Sequence, residues 1–437
     1  MVDGPQFEIL NYTQLKNLTF FLLILTILLS PINKFFISIG IRIQYCEFFS
    51  IPFIILVLLQ KKNTIKLEID TIHKYLYLQW LYIIPIILSL LSFLYIEKTT
   101  NQFVFFIKGL TLLLFFLLFI SCFLIYVQKI NFRSKFLILD VFIYAVTFSA
   151  LYGIIQILFF LFFEIDFDKI LSNSIPFISN EIDISELALG SFFRLNGFTS
   201  DPSVQASISI LVLNILSYYI FVKKMYKYVI FFLIIILSFI LTMSGSGLIG
   251  ISFSILIILV SSINKIKLSG IVRLILISLP ILILAYIFND EVIFFINHKF
   301  EAEGTTKVHA DIAKKAFEIG ISYPIFGVGF NNFSYVYEKL YGEANYNAHN
   351  SWLNYFIETG FFGLFYKFFN SIFYVYLILK KKSNFKYYFL ASFIGLNVSS
   401  FGYETLNLFF NQTLLFVMLY YYLTDFFDLN LRYYKLN

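Results

Sequence analysis

The sequence predicts an all-α protein, a polytopic transmembrane helical bundle with about 12 spans. Three features of the composition favour this class. Of the 437 residues, 59% are hydrophobic, and only 13% are charged, against about 25% in a soluble domain. The chain also carries 58 Phe and 31 Tyr residues, more than a water-facing protein of this length could cover. These features exclude a water-soluble enzyme.

Successive apolar runs divide the chain, and many approach the length of about 20 residues that a helix needs to cross a bilayer. The second and eleventh runs are the least clear. The first follows a mildly polar segment without a basic cluster or a small-residue cleavage site, so we expect it to be retained as a span. The runs cover residues 15–32, 36–59, 75–96, 103–127, 137–163, 204–222, 228–243, 246–262, 269–288, 351–379, 387–401 and 405–424.

Basic residues cluster after the even-numbered runs. Loops rich in Lys and Arg lie in the cytoplasm under the positive-inside rule. We therefore expect both termini inside and the loops after odd-numbered runs outside. The net charge of +6 then reflects topology, and no nucleic-acid partner is expected. The clusters are Lys61, Lys62, Lys66 and Lys74; Lys129, Arg133 and Lys135; Lys223, Lys224 and Lys227; Lys265 and Lys267; and Lys380, Lys381, Lys382 and Lys386.

Two predicted exterior loops are long, and loops of such length are often functional. In the second, residues 305–319 place apolar or small side chains at helical spacing, which predicts an amphipathic helix that ends at Gly320, before Pro324. The chain then divides into N-terminal spans at 1–163, a first long exterior loop at 164–203, central spans at 204–288, a second long exterior loop at 289–350, and C-terminal spans at 351–437.

Arg194 is one of five arginines and the only one in a long exterior loop. A guanidinium at the mouth of a helical bundle suits bidentate binding of a phosphate or diphosphate. The alternative is a lipid headgroup anchor or a pair with a loop carboxylate. Asp201 and Pro202 follow, and they predict the N-cap and first residue of the next helix.

His349 and Asn350 end the second long loop, directly before a span. Imidazole is the side chain best suited to accept a proton near neutral pH, although a lone interfacial histidine is more often structural. Lys307 and His309 lie at the start of the amphipathic segment, where a phosphate would be favoured; the alternative is a solvated helix face. Ser244 lies in a tight turn whose hydroxyls and amides could bind an anion.

The sequence has no P-loop, dinucleotide-binding fingerprint or zinc-ligand spacing. Cys46 and Cys122 lie in or beside apolar runs, where cysteine behaves as a small hydrophobic residue. We therefore expect no cofactor and no metal site. The chain also lacks a series of charged residues at membrane depth, which makes a proton-coupled transporter less favoured.

The order of these motifs resembles that of the O-antigen polymerase and O-antigen ligase superfamily, which comprises bacterial membrane glycosyltransferases. The resemblance covers about residues 190–365, and its most specific part is the last two motifs. In chain order, the motifs are Arg194-x-x-Gly197-x-x-x-x-Pro202, Thr242-x-Ser244, Tyr323-Pro324-Ile325-Phe326-Gly327-Val328-Gly329, His349-Asn350-Ser351-Trp352-Leu353 and Glu358-x-Gly360-x-x-Gly363.

The resemblance implies transfer of a glycan from undecaprenyl diphosphate to an acceptor sugar hydroxyl at the periplasmic face of the bacterial inner membrane. It implies that Arg194 binds the diphosphate and that His349 is the base for, or orients, the attacking hydroxyl. Asn350 and Ser244 are expected to contact substrate. The partners implied are an oligosaccharide linked to undecaprenyl diphosphate, membrane lipid and a chain-length regulator protein. A direct displacement would invert the anomeric configuration, and no metal is required.

The sequence departs from the family pattern at two positions. Gly245 follows Ser244 where family members often have Arg. A second common Arg, upstream of the Tyr323–Gly329 motif, is replaced by Lys307 or His309, and we favour Lys307 as a point charge on phosphate. Two other functions stay open beside the repeat-unit polymerase: a ligase that transfers glycan to lipid A-core, and a polytopic transporter or flippase. The acidic to mixed exterior loops favour the polymerase.

Overall fold

The computed structural model describes residues 12–32, 35–38, 42–60, 70–94, 100–174, 178–180, 188–189, 192–262, 305–342, 348–403 and 409–427. These residues form a helical bundle, which confirms the predicted class. Among the described residues, five helices are long and apolar enough to cross a membrane: Leu76–Leu94, Asn101–Lys129, Phe132–Phe163, Pro202–Val222 and Ser351–Lys380. Five further apolar helices are shorter. The count of twelve spans is not confirmed, and the predicted run 269–288 lies outside the described residues.

The described helices follow the predicted runs in position, except that the first part of the run 36–59 forms short strands and its helix begins at Tyr45. In chain order they are α1 Tyr12–Leu29, α2 Tyr45–Leu59, α3 Asp70–Leu81, α4 Ile83–Leu88, α5 Thr100–Lys129, α6 Phe132–Phe163, α7 Phe167–Ser174, α8 Pro202–Ser217, α9 Val229–Leu241, α10 Gly245–Ser262, α11 Thr305–Ser322, α12 Phe333–Tyr341, α13 Ser351–Lys380, α14 Lys386–Ser399 and α15 Phe409–Leu423. A π-helical turn, Tyr218–Val222, extends α8. A 3₁₀ turn, Ser89–Leu94, extends α4.

Short strands connect parts of the chain that are far apart in sequence. β1 (Phe35–Ser38) pairs with both β2 (Arg42–Gln44) and β3 (Ile178–Asn180), antiparallel in each case. β4 (Ala188–Leu189) and β5 (Phe192–Phe193) form a second antiparallel pair. The apolar periodicity of the sequence did not predict these strands, because each is too short to show an alternating pattern. The pairing of β1 with β3 joins the segment after α1 to the first long loop.

Helix α8 is the central helix of the bundle. Residues 202–216 are all buried, and α8 packs against α6, α9, α10, α14 and α15. Its N-cap is Asp201, whose side chain accepts a hydrogen bond from the Ser203 amide at 2.6 Å, and Pro202 occupies the first turn. The predicted cap is thereby confirmed. Because α8 is central, Asp201 lies near the middle of one end of the bundle.

Several helix ends meet at this end of the bundle, which we call the site end. They are the starts of α8, α10 and α13 and the ends of α9 and α14. The Leu195 amide donates to the Leu241 carbonyl at 3.0 Å, and the Ser351 amide donates to the Ser400 carbonyl at 3.0 Å. The segment before α8 is thus held to the end of α9, and the start of α13 to the end of α14.

Helix α11 confirms the predicted amphipathic segment. Ile312, Ala316 and Ile319 are buried in a cluster that includes Val336 of α12 and Ile357 of α13. The predicted end at Gly320 is wrong, because the helix continues to Ser322. Glycine can remain helical, and here Gly320 packs against the Phe356 ring. Pro324 then disfavours helical geometry for the residue before it.

Candidate active site

Arg194 lies at the site end, in the segment between β5 and α8. Its Nε donates to the Thr242 carbonyl oxygen at 3.2 Å, which fixes the guanidinium beside the end of α9. Burial lowers the pKa of Arg194, while the negative charge of Asp201 and the nearby Tyr403 act to raise it. Arginine stays protonated in proteins at neutral pH. The site end therefore contains a fixed, half-buried positive charge.

His349 occupies the residue before the N-cap of α13. Its φ of 48° lies in the left-handed region, which side chains other than Gly, Asn and Asp seldom adopt. Burial lowers the pKa of His349 from its ordinary value, and the charge of Asp201 raises it to a smaller extent. The imidazole is therefore mostly neutral at pH 7 and has a nitrogen that can accept a proton. This is the property that a general base needs.

Two further rings lie against His349. The His309 ring stacks on it with centroids 4.1 Å apart and planes inclined by 23°. Tyr403 follows the end of α14, in the chain segment that leads to α15, and its ring centroid lies 5.5 Å from that of His349. The site end thus brings together Arg194, His309 and His349, which the sequence singled out as candidates.

Asp201 and Tyr403 are additions to the predicted site. Asp201 interacts electrostatically with both Arg194 and His349, while its side chain also caps α8. The sequence indicated the cap but not the two neighbours, because they come from other parts of the chain. Nothing in the sequence indicated Tyr403 as a site residue, since it is one of 31 tyrosines in the chain and lies between two apolar runs.

Lys307 lies in the first turn of α11, on the same helix as His309. The His309 ring lies against His349, and the Lys307 side chain is outside the part of the chain that the structure describes. The choice between these two residues as a replacement for the second family arginine stays a prediction. The packing of α11 against α13 brings this helix start to the site end.

Ser244 and Asn350 cap helices. The Ser244 hydroxyl accepts from the Gly247 amide at 3.2 Å at the start of α10. The Asn350 Oδ1 accepts from the amides of Trp352 and Leu353, both at 3.0 Å, at the start of α13. These bonds satisfy amides that the first helical turn leaves without a partner. Substrate contact by either residue stays a prediction.

The two glycine motifs pack against each other beneath the site. Gly360 interrupts α13 with a φ of 64° and ψ of −162°, and a Cβ there would collide with the Ile325 carbonyl. The Phe361 amide donates to the Pro324 carbonyl at 2.8 Å, and the Val328 amide donates to the Ile357 carbonyl at 2.7 Å. The turn after α11 therefore bonds directly to the break in α13, which fixes these helices relative to each other.

Comparison with known families agrees with this motif arrangement. A family model described as O-antigen ligase matches residues 230–368, from α9 to the middle of α13. The match confirms the predicted resemblance to the O-antigen polymerase and ligase superfamily. No curated protein matches the chain. The matched range includes Ser244, Lys307, His309 and His349, whereas Arg194 and Asp201 precede it.

Proposed function

We propose, from the O-antigen ligase family match over residues 230–368 and the side chains at the site end, that this chain is a polysaccharide repeat-unit polymerase. It transfers a glycan from undecaprenyl diphosphate to an acceptor sugar hydroxyl at the periplasmic face of the bacterial inner membrane. The observation that carries the proposal is the joint placement of a fixed cation, Arg194, and a histidine with a lowered pKa, His349, around Asp201.

Arg194 binds the donor diphosphate in this mechanism. Its Nε is engaged by the Thr242 carbonyl, so its terminal nitrogens are the groups directed to a phosphate. A guanidinium fork matches phosphate oxygens in geometry and in charge. Negative charge develops on the diphosphate as it leaves, and a preorganised cation stabilises that charge at the transition state.

His349 accepts the proton of the attacking hydroxyl. The hydroxyl oxygen bonds to the anomeric carbon while the bond from that carbon to the diphosphate oxygen breaks, and the diphosphate leaves with the bonding electron pair. The proton passes to the neutral imidazole, and Asp201 stabilises the imidazolium that forms. One displacement inverts the anomeric configuration. Because the lipid diphosphate is itself the leaving group, the step uses no nucleotide and no covalent enzyme intermediate.

A ligase is the second candidate, and the description of the matched family model as O-antigen ligase favours it. The donor chemistry is the same for both enzymes. They differ in the acceptor, which is another lipid-linked repeat unit for the polymerase and lipid A-core for the ligase. The acidic to mixed exterior loops favour the polymerase, since a ligase that handles phosphorylated core would favour a more basic face.

Deletion of the gene, followed by analysis of the surface glycan, tests the proposal. Loss of the polymerase should leave a single repeat unit on the core. Loss of a ligase should leave bare core and an accumulation of lipid-linked polymer. An unchanged glycan pattern would contradict both enzymatic functions and favour a transporter.

A further inference from the structure

A cavity of about 380 Å³ lies inside the bundle next to the site end. Asn354 and Glu358 of α13 line it. The Asn354 amide donates to the Asn350 carbonyl at 3.0 Å, so the cavity starts about one helical turn inward from His349. Thr199 also lines it, and its hydroxyl donates within the turn that leads to Asp201. The cavity therefore adjoins the proposed active site, and its volume lies within the range of about 300–1,000 Å³ for small-molecule sites.

Polar side chains from several helices face this cavity. Gln79 of α3, Asn370 of α13 and Gln412 of α15 contribute amides, and the Gln79 Nε2 donates to the Asn370 Oδ1 at 2.8 Å. Glu47 of α2 and Lys367 of α13 contribute charges. Polar and charged groups inside an apolar bundle are costly unless they are hydrogen-bonded or paired, and charged groups within spanning helices often mark substrate sites. The cavity is thus suited to a polar ligand.

One polar atom of the lining, the Asn354 Oδ1, has no hydrogen-bond partner among the described residues. Asn354 is 6% exposed, and the buried Tyr82 hydroxyl interacts with Thr359. A buried acceptor without a partner is costly. A ligand that carries hydroxyl groups could donate to Asn354 and exchange hydrogen bonds with Tyr82.

Aromatic rings form part of the same wall. The Tyr82 ring stacks on Tyr366 with centroids 5.1 Å apart, and it meets the Tyr355 ring edge-on at 5.5 Å. The Lys367 Nζ donates to the Tyr355 hydroxyl at 3.3 Å. A sugar ring has apolar C–H faces and hydroxyls at its edges. Aromatic rings beside amides and carboxylates therefore complement a sugar better than they complement an isoprenoid chain.

The lining is poorly suited to the anionic part of the donor. Lys367 is the cation among its lining residues, whereas the guanidinium fork that matches a diphosphate is that of Arg194 at the site end. We infer that this cavity binds an uncharged sugar ring of the glycan substrate, inward from His349, while the diphosphate stays at Arg194. This inference rests on the proposed function. The sugar can belong to the donor glycan or to the acceptor glycan.

Saturation-transfer NMR on the purified full chain in lipid nanodiscs tests this inference. The probe is a mixture of free neutral sugars: glucose, galactose, mannose, rhamnose, N-acetylglucosamine and N-acetylgalactosamine. We expect at least one of them to bind, and glucose 6-phosphate and glucuronic acid not to bind. No binding of any neutral sugar, or binding of the charged sugars alone, would overturn the inference.

Two variants locate the bound sugar. Tyr82→Phe removes one hydroxyl and keeps the packed ring, so the protein should fold as before while the sugar binds about fivefold more weakly. Asn354→Leu should weaken binding about tenfold or more. The matched controls are Tyr219→Phe and Asn214→Leu, which alter buried residues outside the cavity and should bind the sugar like the wild type. Equal binding by Tyr82→Phe, Asn354→Leu and the wild type would overturn the inference.

A transfer assay separates the two sources of the sugar. Lipid-linked glycan extracted from cells is the donor, and the repeat unit released from its lipid is the acceptor. If the cavity holds the donor sugar, Tyr82→Phe raises the KM for the donor; if it holds the acceptor sugar, the KM for the acceptor rises. Transfer by the wild type without any sugar binding would refute sugar binding in the cavity but not the proposed function. Sugar binding without any transfer would refute the proposed function.

Discussion

The imidazole of His309 stacks on that of His349, with ring centroids 4.1 Å apart. The two residues are 40 positions apart, at the start of α11 and just before α13. Two imidazolium charges at this distance would repel each other, so the stack disfavours protonation of both rings at once. The stack therefore supports His349 as a proton acceptor and gives His309 a defined place in the site.

His349→Asn should slow transfer strongly and leave the fold intact. Asn tolerates the left-handed backbone that His349 adopts but cannot act as a base. We expect a loss of about 10²-fold or more in kcat, the usual size of a general-base contribution. Rates measured with lipid-linked repeat units check this, with size-exclusion chromatography as the folding control. A His349→Asn protein with the wild-type kcat would rule out His349 as the general base.

Asp201→Asn should shift the pH dependence of transfer. As the pH falls, the wild-type transfer rate decreases because His349 becomes protonated; this decrease is the low-pH limb. The limb lies below the ordinary histidine pKa of about 6.5, because burial lowers the pKa of His349. Asp201 raises that pKa, so its neutralisation lowers the pKa further and moves the limb to lower pH. Asn still caps α8. A limb that stays in place or moves to higher pH would refute the electrostatic effect of Asp201 on His349.

Arg194→Lys should weaken use of the donor although the charge is kept. The Nε bond to Thr242 and the planar fork are lost. A charge-assisted hydrogen bond contributes about 1.5–3 kcal/mol, which corresponds to a fall of about 10- to 150-fold in kcat/KM for the donor. The matched control is Arg133→Lys at the exposed start of α6, which should behave as wild type. Equal kcat/KM values in both variants would exclude a specific diphosphate contact.

Gly360→Ala should destabilise the protein more than Gly342→Ala. Both glycines have positive φ, 64° and 73°, so both substitutions incur strain of about 1–2 kcal/mol. Only at Gly360 would the new Cβ also collide with backbone, whereas nothing lies within 4 Å of the Cβ position at Gly342. Thermal unfolding in detergent should show a larger fall in Tm for Gly360→Ala. Equal Tm values would show that the turn and the helix break are not tightly packed.

Local features of the site were predictable because they depend on neighbours in sequence. Asp201 and Pro202 predict a helix start, and the spacing of Ile312, Ala316 and Ile319 predicts an amphipathic helix. The motif order also indicated Arg194 and His349 as members of one site. The two helix signals each lie within a few residues along the chain, whereas the motif order extends over about residues 190–365.

The remaining features depend on contacts between distant segments. The approach of Asp201 to His349, the stack with His309 and the ring of Tyr403 each join separate helix ends. The cavity is lined by side chains from several helices, which have no fixed spacing in sequence. The break at Gly360 follows from bonds to Pro324 and its neighbours, and the glycine pattern alone indicated only that close packing or a tight turn was possible.

The most direct test of the proposed function is in vitro polymerisation by the purified chain. Lipid-linked repeat units extracted from cells are incubated with wild-type protein and, in parallel, with His349→Asn, and the products are separated by length on a gel. We predict a ladder of longer lipid-linked chains from the wild type and single repeat units alone from the variant. Single units from both proteins, or the same ladder from both, would contradict polymerisation through His349.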